Sequence, residues 1–295
     1  MTSPVSAPGA AQQGAEPSVP DRSPVARPSA QSGRPLLFFL PEPKPAASMR
    51  LFCFPHAGGG ALAFFDWQAR LGPEIECITV QYPGRGQRMR ETPKTDIASL
   101  AEEVADGLQA KSDKPFAFYG HSFGAIVAFE TARHLRRQGC AGPQALYLGA
   151  VRPPQIPSPH PPLRHLPDAE FAAGVQARYG GIPEAILRDR DAMEVFLPPM
   201  RADFAAYETY VYQPEALLAV PICVFAGEGD TAVDPQRLDR WREHTSGSFE
   251  QRSLPGGHFF MSVSAALLSE ILRERMIAHL KHSEASVKLD CKRDK

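Results

Sequence analysis

Nowhere does this sequence run for the roughly twenty consecutive apolar residues that a membrane-spanning helix needs, so no membrane span is expected. It also lacks an excess of charge of either sign: 32 Lys and Arg stand against 33 Asp and Glu, a formal net charge of −1. A chain so balanced exerts no overall pull on nucleic acid or anionic lipid, and neither is expected as a partner. Cysteine is sparse and odd in number: Cys53, Cys77, Cys140, Cys223 and Cys291. No two of them have the C-x-x-C or related spacing of a metal or redox site. Cys53, Cys77 and Cys223 lie inside apolar runs, where a thiol behaves as a small hydrophobe. They read as buried and reduced, which fits a cytoplasmic location. Residues 1–34 offer neither the basic start nor the apolar stretch of a secretory signal. No Gly-Lys-Ser/Thr occurs, which excludes a Walker phosphate loop, and no internal repeat is visible.

What is present is enough apolar residue, 43% of 295, for one sizeable domain with appendages. Residues 1–34 are mostly Pro, Ser, Ala, Gly and Gln, too poor in large apolar side chains to offset the entropy of ordering, and are expected to be disordered. A domain is expected over 35–282 and a polar, fraying tail over 283–295. Within the domain, short β-rich runs alternate with helical patterns. Strands are predicted at Leu36–Leu40, Arg50–Phe54, Cys77–Gln81, Pro115–Tyr119, Ala145–Ala150, Pro221–Ala226 and Ser248–Leu254. Helices are predicted at Asp96–Ala110, Phe123–Gln138, Pro235–His244 and Ser262–Leu280. Such alternation with continuously apolar strands predicts an α/β fold, a mostly parallel sheet flanked by helices on both faces. The rhythm breaks over about 151–217. A Pro-rich opening leads to helical pieces at Asp168–Tyr179, Pro183–Asp189, Ala192–Phe196 and Met200–Tyr212. This insertion reads as a helical lid over the strand ends, where α/β folds bind ligands.

The sharpest signal is Gly120-His121-Ser122-Phe123-Gly124, a G-x-S-x-G between an apolar strand and a helix. That setting marks a nucleophile elbow, in which a strained turn exposes the serine hydroxyl and glycines avoid collisions on either side. Ser122 needs a general base. Of nine histidines, His258 stands in Pro255-Gly256-Gly257-His258, a loop after the last predicted strand. His121 adjoins the serine, but neighbouring side chains on a tight turn diverge. Asp230 follows the penultimate strand and completes the order Ser122, Asp230, His258 that this fold uses. Asp234 is better explained as the cap of the helix opened by Pro235, and Glu228 as a turn residue. For an oxyanion, two backbone amides are assigned: Phe123, which follows the nucleophile, and Ala57 in Pro55-His56-Ala57-Gly58-Gly59-Gly60. Gly227-x-Gly229-x-x-Ala232 mimics a dinucleotide fingerprint, but no helix opens inside it. Phe196, Leu197, Met200, Phe204, Tyr207, Tyr210 and Val211 form a lid stripe suited to helix packing, some of it to lining an acyl channel. Arg85, Arg88 and Arg90 in PGRGQRMRE belong either to a solvated loop or to the rim of the site.

Taken together, LFCFPHAGGG, QYPGRGQR, FYGHSFGA, LPPMRAD and LPGGHFFM resemble the stand-alone type II thioesterases of polyketide and nonribosomal peptide pathways, from about Leu36 to about Leu280. Two features depart from that pattern, the long Pro-rich extension and Phe38-Phe39 where a tryptophan is expected. The resemblance implies an α/β-hydrolase fold. It places the family's catalytic serine, aspartate and histidine at Ser122, Asp230 and His258, and its oxyanion donors at Ala57 and Phe123. It also implies that the substrate is an acyl group on the phosphopantetheine arm of an acyl or peptidyl carrier protein, with no dissociable cofactor and no metal. Rim arginines, Arg85, Arg88 and Arg90 among them, would then steer an acidic carrier. The same fold leaves room for a chain-releasing thioesterase, an oxygen-ester hydrolase or an inactive acyl-binding protein, although the complete triad argues against the last.

Overall fold

The structure, a computed structural model, describes residues 36–293, with backbone alone from residue 282 onward. The extension expected over 1–34 lies outside the described residues, as do the side chains of the expected polar tail. The framework is a seven-stranded sheet among the described residues, in the order β1-β3-β2-β4-β5-β6-β7. Its strands are β1 (Phe38–Phe39), β2 (Met49–Phe54), β3 (Ile75–Val80), β4 (Phe116–His121), β5 (Leu146–Gly149), β6 (Ile222–Gly227) and β7 (Phe249–Leu254). Every pairing is parallel except that of β1, which runs antiparallel to β3 at the edge.

The strands are continuously apolar because both faces are covered. In β2, Phe52 and Phe54 enter the core beneath α2 (Ile97–Leu108) and α3 (Phe123–Arg137). The alternate residues Met49, Leu51 and Cys53 enter a second core under α1 (Trp67–Arg70) and α8 (Ala265–Arg293). This is the period-two alternation of a strand, with both sides buried. Helix α2 starts where Asp96 accepts the Ser99 amide at 2.7 Å and buries Ile97, Leu100, Ala101, Val104 and Leu108. Helix α3 stops before Gly139, whose φ of +66° is the left-handed conformation of a C′ residue.

Between β5 and β6 lie α4 (Asp168–Arg178), α5 (Glu184–Arg188) and α6 (Arg190–Thr209), which share a small core that includes Phe171, Val175, Leu197, Met200 and Phe204. The sequence reading splits α6 in two around Pro198-Pro199, whereas the structure carries one helix straight through both prolines. A proline inside a helix removes the hydrogen bond its nitrogen would donate and crowds the carbonyl four residues back, a cost that other interactions must offset. Here Asp189 caps the start through the Asp191 and Ala192 amides, and burial of Leu197, Met200 and Phe204 holds the rest. The segment Pro235–His244 forms a 3-10 helix rather than an α-helix, with Asp234 accepting the Gln236 amide at 2.9 Å. The single last helix predicted from sequence is instead α7 (Phe260–Val263) followed by α8, interrupted at Ser264, whose hydroxyl donates to the Pro255 carbonyl. With no Gly or Pro to stop it, α8 runs past the expected end at Leu280 to Arg293. Among the described residues, no helix is long and apolar enough to cross a membrane.

Candidate active site

Four loops leave the same edge of the sheet, after β2, β4, β6 and β7, and each carries one part of the site. At the end of β4 the chain turns sharply through Ser122, with φ 53° and ψ −120°, into α3. The glycines on either side are required by space. A Cβ on Gly120 would lie 2.5 Å from Ala125 Cα, and one on Gly124 would lie 2.2 Å from the Phe54 carbonyl oxygen. The Ser122 amide donates to the Gly149 carbonyl at 2.7 Å, which ties the strained residue to the next strand.

The structure brings Ser122, His258 and Asp230 into one hydrogen-bonded chain. The Ser122 hydroxyl lies 2.9 Å from His258 Nε2, and His258 Nδ1 lies 2.9 Å from Asp230 Oδ2. With the imidazole neutral, Nδ1 donates to the carboxylate and Nε2 is free to accept from the serine. Asp230 Oδ1 accepts the Ala232 amide at 2.9 Å, so the carboxylate is fixed from two sides. Both side chains are almost wholly buried, at 5% and 1% exposure for His258 and Asp230. The rival acids stand elsewhere: Asp234 caps its helix, and Glu228 is exposed. Gly227 is explained by packing, since a Cβ there would lie 2.1 Å from the Gly257 carbonyl oxygen in the His258 loop.

Ala57 and Phe123 both line the cavity into which Ser122 opens. Phe123 is the first residue of α3, where an amide has no partner within its helix. The cavity is walled mainly by apolar side chains, with Phe196, Met200, Phe204 and Tyr207 contributed by α6. The rest of the lid stripe packs elsewhere or is bare: Leu197 belongs to the small helical core, Tyr210 donates to Glu130 on α3, and Val211 is exposed. Among the described residues no group of three His, Cys, Asp or Glu side chains is placed to hold a metal ion.

Three residues matter to the site in ways that motif reading misses. His121, fully buried, donates from Nε2 to the backbone carbonyl of His258 at 2.8 Å, while the Tyr119 hydroxyl, 3.2 Å away, donates to its Nδ1. Burial, with His258 adding, pushes its pKa well below the ordinary value, so the ring stays neutral and pins the loop that carries the base. Asp203, in the LPPMRAD segment, accepts the Gly58 amide beside Ala57. Arg85 is not at a rim. It is buried against Asp203, and Arg88 is buried against Glu91 and Glu103, leaving only Arg90 of the three exposed. Arginine in a glycine-rich turn looks solvated in sequence, but Asp203, 118 residues away, neutralises Arg85, and the nearer Glu91 and Glu103 neutralise Arg88.

The family model described as a thioesterase domain matches residues 49–275. The gramicidin S biosynthesis protein GrsT of Aneurinibacillus migulanus is 38% identical over 231 residues, covering 78% of this chain and 90% of that protein. Among solved structures, the thioesterase RedJ from the prodiginine pathway of Streptomyces coelicolor aligns with a TM-score of 0.73 at 36% identity, covering 84% of this chain and 91% of that one. The type II thioesterase BorB from the borrelidin biosynthetic cluster aligns with a TM-score of 0.72 at 32% identity, covering 85% and 98%.

Proposed function

Since the chain belongs to the thioesterase family, its chemistry is thioester hydrolysis, and we propose that it is a type II, editing thioesterase that removes acyl groups from the phosphopantetheine arm of acyl or peptidyl carrier proteins. The similarity to BorB over nearly that protein's whole length supports the type II reading. The observation that carries the chemistry is the Ser122–His258–Asp230 hydrogen-bonded chain, whose serine and histidine line an apolar cavity.

His258 Nε2 takes the Ser122 proton as Oγ attacks the thioester carbonyl carbon. The oxyanion that forms is held by the amides of Ala57 and Phe123. The carbon–sulfur bond then breaks, and the proton on His258 passes to the departing sulfur, so the arm leaves as a thiol. Water, deprotonated by His258, attacks the acyl-serine ester, and the proton returns to Ser122 as the acid departs. Asp230 remains a carboxylate throughout, holding the tautomer and stabilising the imidazolium. Every proton moves between the chain's own side chains, water and substrate, so no cofactor is called for.

The test is kcat/KM for one acyl group presented on a carrier protein, on a small thiol and as an oxygen ester, with wild type and Ser122→Ala. The expected order is carrier protein first, small thiol second and oxygen ester last, with the variant inactive. Equal rates on carrier and small thiol would remove the carrier-protein reading. Faster oxygen-ester turnover would make it an esterase, and an active Ser122→Ala would overturn the site.

A further inference from the structure

The loop that presents Ala57 is held from behind by a buried ion pair. The Gly58 amide donates to Asp203 Oδ2 at 2.8 Å. The same carboxylate takes both terminal nitrogens of Arg85, Nη1 on Oδ2 at 2.5 Å and Nη2 on Oδ1 at 2.7 Å. Arg85 Nη1 also reaches the Gly59 carbonyl at 3.3 Å. The peptide plane that contains the Ala57 amide is fixed in turn through its own carbonyl, that of His56, which accepts the Gly59 amide at 2.9 Å. Successive peptide groups on either side of Ala57 are therefore locked, and the outer lock is the Arg85–Asp203 pair. Asp203 belongs to α6, and α6 packs directly on the loop: a Cβ on Gly58 would lie 2.8 Å from Met200 Cε. Stability alone does not call for such a pair, because apolar residues of similar volume often replace a buried ion pair without loss. What apolar residues cannot do is accept the Gly58 amide.

We propose that Arg85 and Asp203 are positioning residues for the oxyanion site, orienting the Ala57 amide and tying its orientation to the packing of α6 on the loop. The inference rests on the reading above, in which that amide receives the oxyanion. It accounts for two segments, QYPGRGQR and LPPMRAD, that the triad itself leaves without a role.

The experiment compares turnover of a short acyl thioester with inhibition by the matching trifluoromethyl ketone, whose tetrahedral adduct on Ser122 carries the same oxyanion. It uses Asp203→Asn, Arg85→Met, and the double variant Arg85→Met with Asp203→Leu, which protects the fold because it leaves no buried charge unpaired. The expected result is a fall in kcat of about 10- to 100-fold with KM near wild type. Affinity for the ketone should fall by the same factor as kcat/KM. A double variant with wild-type kcat, or lost turnover with unchanged ketone affinity, would overturn the proposal. Ser122→Ala, assayed alongside, separates the two levels. If it hydrolyses the thioester, the underlying mechanism fails and the positioning role with it. If it is inactive while the other variants match wild type, only the positioning role fails.

Discussion

Asp230 and Asp234 stand four residues apart and serve different ends, one bonded to His258 and the other to the start of a 3-10 helix. Asp230→Asn keeps the shape of the side chain but presents an amide to the imidazole, which favours the wrong tautomer. In the serine protease template that change costs about 10⁴ in turnover, and a loss of that order is expected here with little change in thermal midpoint. Asp234→Ala should do the reverse, costing about 1 kcal/mol of stability with turnover intact. Steady-state kinetics and thermal melts on the two variants decide it, and an inactive Asp234→Ala would transfer the acid's role. The residues brought together here were legible in the sequence because each sits in a local pattern: a glycine-flanked serine, an aspartate at a strand end, a histidine after two glycines. His121, Asp203 and Arg85 were not, because what they do depends on partners 137, 145 and 118 residues away. No local spacing encodes such a contact.

At the scale of elements, alternation of apolar strands with amphipathic helices was sufficient to read the sheet, the two covering layers and the place of the inserted helices. Boundaries were harder where local and tertiary preferences conflict. The prolines at 198 and 199 argue for a break in any isolated peptide, yet packing keeps α6 whole. The two-residue β1 is short because pairing with β3 extends over only Phe38 and Phe39. An uninterrupted α6 places Phe196, Met200, Phe204 and Tyr207 on one face, about one turn apart, and that face walls the cavity. Met200 is buried at its centre. Met200→Trp should therefore reduce kcat/KM for an octanoyl thioester roughly tenfold while changing acetyl turnover much less. A rate profile across acyl chain lengths tests this, and an equal loss at every length would show that Met200 shapes the loop rather than the chain-binding space.

For the whole molecule, acid is the expected weakness. Burial lowers the pKa of His56 to about 4, with repulsion from His258 and Arg85 adding, and burial with Arg133 nearby lowers that of His244 to about 4. An unfolded histidine takes up its proton near pH 6.5. Between pH 6.5 and about 4 the unfolded chain therefore binds more protons than the folded one, and stability must fall as pH falls through that window. Below about 4 the folded rings protonate too, and their share of the loss levels off. His244 Nε2 donates to Gln155 Oε1 at 2.6 Å and the ring packs on Phe129 and Trp241, so it can be changed apart from the cavity. His244→Gln should give a shallower decline in melting temperature between pH 6.5 and 4, and an unchanged slope would dismiss it as a contributor. The sulfur chemistry of the chain follows from its layering. Cys53 and Cys77 lie 3.6 Å apart on adjoining strands as free thiols, and Cys223 is buried on the same side of the sheet. Alkylation needs an accessible thiolate, and burial keeps the Cys53 thiol protonated. In a variant with Cys140 and Cys291 changed to serine, the three remaining thiols would react only when the sheet itself comes apart, so the pace of labelling becomes a clock for global opening.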